Sequence, residues 1–160
     1  MTNIQSTSGR EVRIAYPGVD MRPIEKISRV LIMRAWLRLL MIDCRLKFTG
    51  FESVQNWIVK AARLEANHKN GIASSVPWVI DEVSRVVQIA SKFYYRIRRD
   101  CLPAGMLAFY LMRRRGLPVE LCIGVRKFPF KAHAWVELEG HIVFTTPADV
   151  AKYKVIMKMG

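Results

Sequence analysis

The sequence predicts an α+β domain, in which helices come first and a small antiparallel sheet follows. Up to about residue 116, apolar residues recur at steps of three and four, which is typical of amphipathic helices. Beyond that point apolar and polar residues alternate, as in half-buried strands, and Glu139-Gly140 has the composition of a tight hairpin turn. We expect a single domain over residues 23–160, helical at 23–116 and sheet-forming at 118–147, after a loosely ordered segment at 1–22.

Three helices are predicted in the first part of this domain. Pro23 opens the first, which runs to about Lys47. The Thr-x-x-Glu spacing of "TGFE" at 49–52 predicts a capping box that starts the second. The third follows Pro77, and one of its faces is apolar while the other is polar, so we expect it to be half buried in a core. Its apolar positions are Val79, Val83, Val86, Ala90, Phe93 and Ile97.

A fourth helix is predicted to begin near Cys101 and to end at Gly116. Asp100 can cap its start, and Pro103 is tolerated in a first turn. Three arginines precede Gly116, which is the charge and the residue type expected at the end of a helix. The predicted strands follow as "VELCIGV" (119–125), "HAWVELE" (133–139) and "HIVFTT" (141–146).

The composition excludes several classes of protein. The chain has 160 residues and a net charge of +13, which fits an acidic partner or surface without indicating a fold. Its three cysteines have no spacing that suggests disulfides or zinc, so we expect no metal and no cofactor. No motif typical of DNA or RNA recognition accompanies the charge, so nucleic acid is not expected as a partner. The first residues lack the apolar core of a signal peptide, and we expect a cytoplasmic location.

One apolar stretch, "VLIMRAWLRLLMI" at 30–42, raises the question of a membrane. It contains Arg34 and Arg38 and is shorter than the roughly 18–20 apolar residues that a spanning helix needs. We therefore expect the helix at 24–47 to pack within the domain or against a partner. Peripheral contact with a bilayer surface is the alternative.

Cys101 is placed where a thiol can be reactive. The start of a helix has unpaired N–H groups and the positive end of the helix dipole, both of which favour a thiolate. A cysteine nucleophile for acyl transfer also needs a base within hydrogen-bond reach and a group that orients this base. Arg98 and Arg99 add positive charge nearby.

His133, at the start of a strand, is the candidate base. The opposite interpretation is that Cys101 is a small buried residue and His133 an ordinary structural one. The remaining cysteines and histidines are weaker candidates. Cys122 and Cys44 are expected to be inert, and His68 and His141 to lie at the surface.

The stretch "CLPAGMLAFYLMRRRGLPVELCIGVRKFPFKAHAWVELEG" resembles the transglutaminase-like cysteine peptidases of lasso-peptide biosynthesis. These enzymes remove the leader from a precursor peptide. The resemblance lies in the order Cys-Leu-Pro, a helix ending Arg-Arg-Arg-Gly, a strand, and His-Ala-Trp-Val-Glu before a hairpin, over roughly residues 95–155. It implies a papain-like core with Cys101 as nucleophile, His133 as base and the backbone N–H of Cys101 as an oxyanion donor.

The third catalytic residue departs from the family's pattern, which places an aspartate about a dozen residues after the histidine. Thr145 stands at that position here. Thr145 can orient the imidazole by itself, or Asp149 can reach it from the following loop, although Asp149 can equally serve as a turn or helix cap. Glu137, two pleats away on the same strand face, is the least convenient candidate.

The resemblance also implies partners. Residues 1–95 are predicted to be almost wholly helical, unlike the winged leader-binding module of fused family members. The chain is thus expected to be a stand-alone peptidase that acts with a precursor peptide, a separate small leader-binding protein and the lasso cyclase. The rival interpretations are a noncatalytic peptide-binding protein on the same fold, and a transamidase or amidase with the same dyad.

Overall fold

The computed structural model describes residues 27–66, 76–95 and 101–160 of the chain. Three predictions lie outside these ranges: the loosely ordered segment at 1–22, the helix start at Pro23, and the helix cap at Asp100. The charges of Arg98 and Arg99 and the surface position of His68 also fall outside the described residues.

Helices and a small antiparallel sheet make up the described structure, as the sequence predicts. The elements in chain order are α1 (Arg29–Ala66), α2 (Val76–Tyr95), α3 (Cys101–Arg113), β1 (Val119–Arg126), β2 (Lys131–Leu138), β3 (His141–Val143), α4 (Pro147–Val150) and β4 (Lys154–Met159).

α1 consists of two helical segments joined at Gly50, whose φ of 79° and ψ of 174° are not helical. The break agrees with the predicted boundary between the first and second helices. The predicted capping box does not form among the described residues, where the side-chain hydrogen bond of Thr49 runs from its hydroxyl back to the carbonyl of Arg45 at 2.9 Å. Thr49 thus bonds one turn back into the preceding helix.

α3 lies at the centre of the fold. It packs against α1 and α2 on one side and against β1 and β2 on the other. Every residue from Met106 to Met112 is buried, which explains why this helix is apolar on nearly all sides. α3 ends at Arg113, and the turn that follows closes at Gly116 as predicted, where a φ of 79° is a left-handed conformation that glycine adopts without steric cost.

The third predicted helix forms as α2, and four of its predicted apolar positions are part of this core, while Ile97 lies outside the described residues. Val79, Val83, Val86 and Ala90 are each no more than 1% exposed. An ion pair of 2.9 Å between Glu82 and Arg115 also connects α2 to the residues that follow α3.

The sheet has four antiparallel strands in the order β3-β2-β1-β4. β2 and β3 form the predicted hairpin through Glu139 and Gly140, both of which have positive φ. The strand pattern of the sequence predicts that the sheet ends near residue 147, but β4 pairs with β1 along its other edge. β4 is therefore an element that the strand pattern of the sequence did not reveal.

The two faces of the sheet have different surroundings. The face toward α3 contributes residues such as Ala134, Val136 and Leu138 to the main core. The opposite face carries a smaller cluster of Cys122, Trp135 and Val150, with Ile142 and Tyr153 packed against it. The candidate functional residues lie at the start of α3 and near the start of β2.

Candidate active site

Cys101 is the first residue of α3 and is half-buried. One turn further along, a methyl group at Gly105 would lie 3.2 Å from Leu121 and 3.3 Å from Ala134, so α3 closely approaches β1 and β2. This approach brings the Cys101 thiol to the start of β2, where Sγ donates a hydrogen bond to the carbonyl of Ala132 at 3.8 Å. The thiol therefore contacts the backbone of Ala132, the residue before His133.

His133 lies half-buried on β2 between two aromatic rings. The centroid of its ring is 6.1 Å from that of Trp135, with an interplanar angle of 22°, and 5.4 Å from that of Tyr153. Burial lowers the pKa of His133, and the negative charge of Asp149 acts in the opposite direction. A histidine whose charged form is disfavoured stays neutral at pH 7, as a general base must.

The thiol and the imidazole approach β2 from different sides. Alternation along the strand places Ala134 toward α3 and places His133 with the aromatic rings of the other face. In the described part of the chain, the hydrogen-bond partner of the thiol is the Ala132 carbonyl and not the imidazole. β3 pairs only with residues 136–138 of β2. At residues 132 and 133, the edge of β2 that faces away from β1 is therefore not paired with β3.

Asp149 lies beside the N-cap of α4, and its charge acts on His133. It lies in the first turn of α4, where Thr146 is the N-cap and its hydroxyl donates to Asp149 Oδ2 at 2.6 Å. Hydrogen bonds from Thr146 and Lys152 lower the pKa of the Asp149 carboxyl. The same carboxylate is close enough to raise the pKa of His133 by its charge, which is the electrostatic effect expected of a third catalytic residue.

Glu137 has partners other than His133. One carboxylate oxygen accepts a hydrogen bond from Trp135 Nε1 at 2.9 Å, and the other accepts from Lys158 Nζ at 2.7 Å. Burial alone would raise the pKa of Glu137, but these hydrogen bonds together lower it. Glu137 therefore holds the indole that faces His133.

Sequence reasoning missed this support for His133. Its signal was the recurrence of polar and aromatic residues at 133, 135 and 137, which share one strand face. Lys158 could not be found in this way because it lies on β4, and Tyr153 because it lies in the segment between α4 and β4.

Among the described residues, the other cysteines and histidines offer no comparable site. Cys122 is fully buried, and burial and the charge of Glu137 raise the pKa of its thiol to about 12. Cys44 is exposed on α1, and His141 is exposed at the start of β3. In the three described ranges, no group of three or more His, Cys, Asp or Glu residues is arranged to hold a metal ion. None of the helices described there is long and apolar enough to cross a membrane.

Replacing Asp149 with asparagine should lower the pKa of His133 further, because the substitution removes the negative charge that raises it. The measurement is an NMR titration of the His133 ring in a Cys101→Ala background, where no thiol titrates beside it. Thr146→Val is the matched control, since it removes the hydrogen bond to Asp149 but keeps the carboxylate charge. An unchanged His133 pKa in Asp149→Asn would show that Asp149 only caps α4.

The lowered pKa also predicts a pH dependence of stability. Between the lowered pKa of folded His133 and the ordinary value near 6.5, the unfolded chain binds more protons than the folded one. The contribution of neutral His133 to stability is thus present above about pH 6.5 and is lost as the pH falls to the folded pKa. Denaturant unfolding of the unmodified chain and of His133→Gln from pH 7.5 to 5 should show a smaller acid loss in the variant.

Comparison with known proteins identifies the family of this chain. The family described as the transglutaminase-like superfamily matches residues 38–158, which is well over half of the chain. The chain is also similar to the microcin J25-processing protein McjB of Escherichia coli, with 32% identity over 62 residues. That stretch covers 39% of this chain and only 30% of the curated protein. No solved structure matched the chain significantly.

Proposed function

Because the chain belongs to the transglutaminase-like superfamily, we propose that it is a cysteine peptidase that removes the leader from a lasso-peptide precursor. The observation that carries the proposal is the hydrogen bond from the Cys101 thiol, at the start of α3, to the backbone of the residue before His133. The similarity to a protein that processes microcin J25 supports the class of substrate.

In the proposed reaction, Cys101 Sγ attacks the carbonyl carbon of the peptide bond between leader and core. His133 accepts the thiol proton and donates it to the amine of the core peptide as the carbon–nitrogen bond breaks. The leader then remains as a thioester on Cys101. Water, deprotonated by His133, hydrolyses this thioester, and the leader leaves with a free carboxyl group.

Two further groups complete the proposed mechanism. The backbone N–H of Cys101, at the start of α3, is available to stabilise the oxyanion that forms at each step. Asp149 is proposed as the third catalytic residue rather than Thr145, because its charge already acts on His133. Such a charge stabilises the imidazolium that exists between the two proton transfers.

For this mechanism, the thiol must turn from the Ala132 carbonyl toward the imidazole. Catalytic hydrogen bonds often tighten only when substrate is bound. A peptide lying along the start of β2 would compete with the thiol for the Ala132 carbonyl. We propose that substrate binding releases the thiol in this way.

We further propose that the chain works as a stand-alone peptidase with a precursor peptide and a separate leader-binding protein. The lasso cyclase, which receives the freed core, is a third proposed partner. In this arrangement the peptidase recognises the bond to be cut, and the leader-binding protein delivers the leader.

The test is to incubate a lasso-peptide precursor with the chain, with and without the leader-binding protein from the same biosynthetic set. We expect mass spectrometry to detect free leader and core, and the partner to increase the rate at least tenfold, because it raises the local concentration of substrate. Equal rates with and without the partner would contradict its proposed role. A product in which leader remains joined to an amine would indicate a transamidase instead.

A further inference from the structure

α1 carries apolar side chains on two opposite faces. Ala35, Leu39 and Ile42 on one face are at most 2% exposed and belong to the main core. The other face is solvent-exposed. We call it the outer stripe of α1, and it consists of Val30, Met33, Leu37, Met41 and Phe48, which are 56%, 60%, 53%, 38% and 85% exposed.

The outer stripe is continuous along the helix. Its first four members are three, four and four residues apart, and Phe48 follows two turns later, so all five fall on one side of an α-helix. At 1.5 Å per residue, the stripe from Val30 to Phe48 is about 27 Å long. Isolated exposed apolar residues are normal, but a contiguous strip of this length marks an interaction surface.

Positive charge borders the outer stripe along one flank. Arg34, Arg38 and Arg45 follow one another on the same side of α1. The guanidinium of Arg38 lies 4.9 Å above the ring of Tyr110, and that of Arg45 lies 4.7 Å above the ring of Trp57. Cation–π contacts restrain both side chains, so the positive charge stays at this edge. Arg34 and Arg38 are also near Arg114. Burial lowers the pKa of Arg114, and the positive charges of Arg38, Arg115 and Arg34 lower it further.

We propose that the outer stripe is the docking surface for the separate leader-binding protein, and that this partner presents an apolar surface edged on one side by aspartate and glutamate. The inference rests on the proposed function for the existence of this partner. Burial of the stripe would supply affinity, and the charge along its flank would fix orientation and accelerate association.

Charge argues against other occupants. A second copy of the chain would bring together two proteins that each have a net charge of +13. A bilayer surface presents the same headgroups on both sides of an embedded helix, whereas the flanks of the stripe differ: the opposite flank has Leu40, Arg29 and the ion pair of Lys47 with Asp43. Three arginines on one flank make that edge the more positive one, which fits a protein with a matching acidic edge.

The surface is also suitably placed to affect the active site. α1 packs directly against α3, the helix that begins with Cys101. A partner on the outer stripe would lie on the side of α1 away from α3, so it would leave the start of β2 accessible to the precursor.

The test compares Met33→Glu with Ile156→Glu, because both side chains are 60% exposed but Ile156 lies on β4, in another part of the fold. Isothermal titration calorimetry measures the affinity of each variant for the leader-binding protein. We expect Met33→Glu and Arg34→Glu to weaken binding at least tenfold, and Ile156→Glu to leave it unchanged. Thermal unfolding checks that each variant is folded, which we expect at such exposed positions.

Cleavage without the partner separates this inference from the proposed function. Met33→Glu should retain the slow cleavage of the chain alone and lose the acceleration by the partner. If the unmodified chain cleaves no precursor under any condition, the proposed peptidase function is contradicted. If Met33→Glu still weakens partner binding in that case, the outer stripe remains the docking surface. Unchanged partner binding by Met33→Glu would overturn the inference, and loss of binding to phosphatidylglycerol vesicles in the same variant would then assign the stripe to lipid.

Discussion

Replacing Cys101 with alanine is expected to reduce precursor cleavage by on the order of a thousandfold or more, with the fold intact. The physical reason is that the thioester cannot form without sulfur, and neither His133 nor the start of α3 can substitute for a covalent bond to the carbonyl carbon. The measurement is the rate of leader release with the leader-binding protein present. A melting temperature close to that of the unmodified chain would show that the loss is chemical.

Cys44→Ala provides the matched control, since Cys44 is also a thiol that solvent can reach but lies on α1. We expect its activity to equal that of the unmodified chain. In this background iodoacetamide should inactivate the enzyme through Cys101, because Cys122 is fully buried with a pKa near 12. Processing that continues in Cys101→Ala would exclude cysteine catalysis and favour a noncatalytic peptide-binding role.

The second large effect is expected for a substitution at Gly124, which lies on β1 opposite His133. A methyl group there would lie 2.7 Å and 2.9 Å from two carbons of the Trp135 ring and 3.0 Å from Cβ of Tyr153. The ring cannot easily give way, because Glu137 holds Trp135 Nε1 by a hydrogen bond of 2.9 Å. Gly124→Ala should therefore destabilise the fold by about 1–3 kcal/mol, as overpacking of a buried site typically does.

Activity should fall more than this loss of stability would suggest. Trp135 and Tyr153 are the two rings between which His133 lies, so the added methyl group displaces both neighbours of the proposed base. A displacement of about 1 Å at a catalytic group can reduce the rate on the order of a hundredfold. Denaturant unfolding measures the first effect, and cleavage at a temperature where the variant is fully folded measures the second.

A double variant identifies the cause. Trp135→Phe removes the part of the indole that the new methyl group would touch, so Gly124→Ala combined with Trp135→Phe should cost less than the sum of the single substitutions. An additive result, or a Gly124→Ala variant as stable as the unmodified chain, would show that the strand accommodates the methyl group without moving the indole.

The sequence was sufficient to predict the elements with strong local signals. The apolar spacing of α2 and the change to alternating residues after Gly116 depend only on burial of one face, so they predicted a half-buried helix and an antiparallel sheet. The turn after α3 closes at Gly116 as predicted, because an arginine-rich last turn followed by glycine is a signal that acts locally. The resemblance to a peptidase family added the papain-like core, which the family match supports.

The sequence could not predict features that depend on contacts across the fold. β4 has the pattern "KVIMKM", in which three consecutive apolar residues are exposed, so no alternation identifies it as a strand. Its position depends on pairing with β1, which is distant in sequence. The environment of Asp149 was also out of reach, since only the folded backbone brings a carboxylate that accepts from the N-cap Thr146 close enough to act on a histidine 16 positions earlier.

β4 also has a consequence for how the protein behaves in concentrated solution. It is an edge strand of the sheet, and Val155, Ile156 and Met157 on it are 40%, 60% and 39% exposed. Such an edge is a template on which another chain can add strands and start aggregation, unless charge prevents it. Lys154 at its start is a gatekeeper of this kind, whereas the ammonium of Lys158 is held by Glu137 and Glu120, so loss of the Lys154 charge would weaken the repulsion that keeps neighbouring molecules from assembling edge to edge.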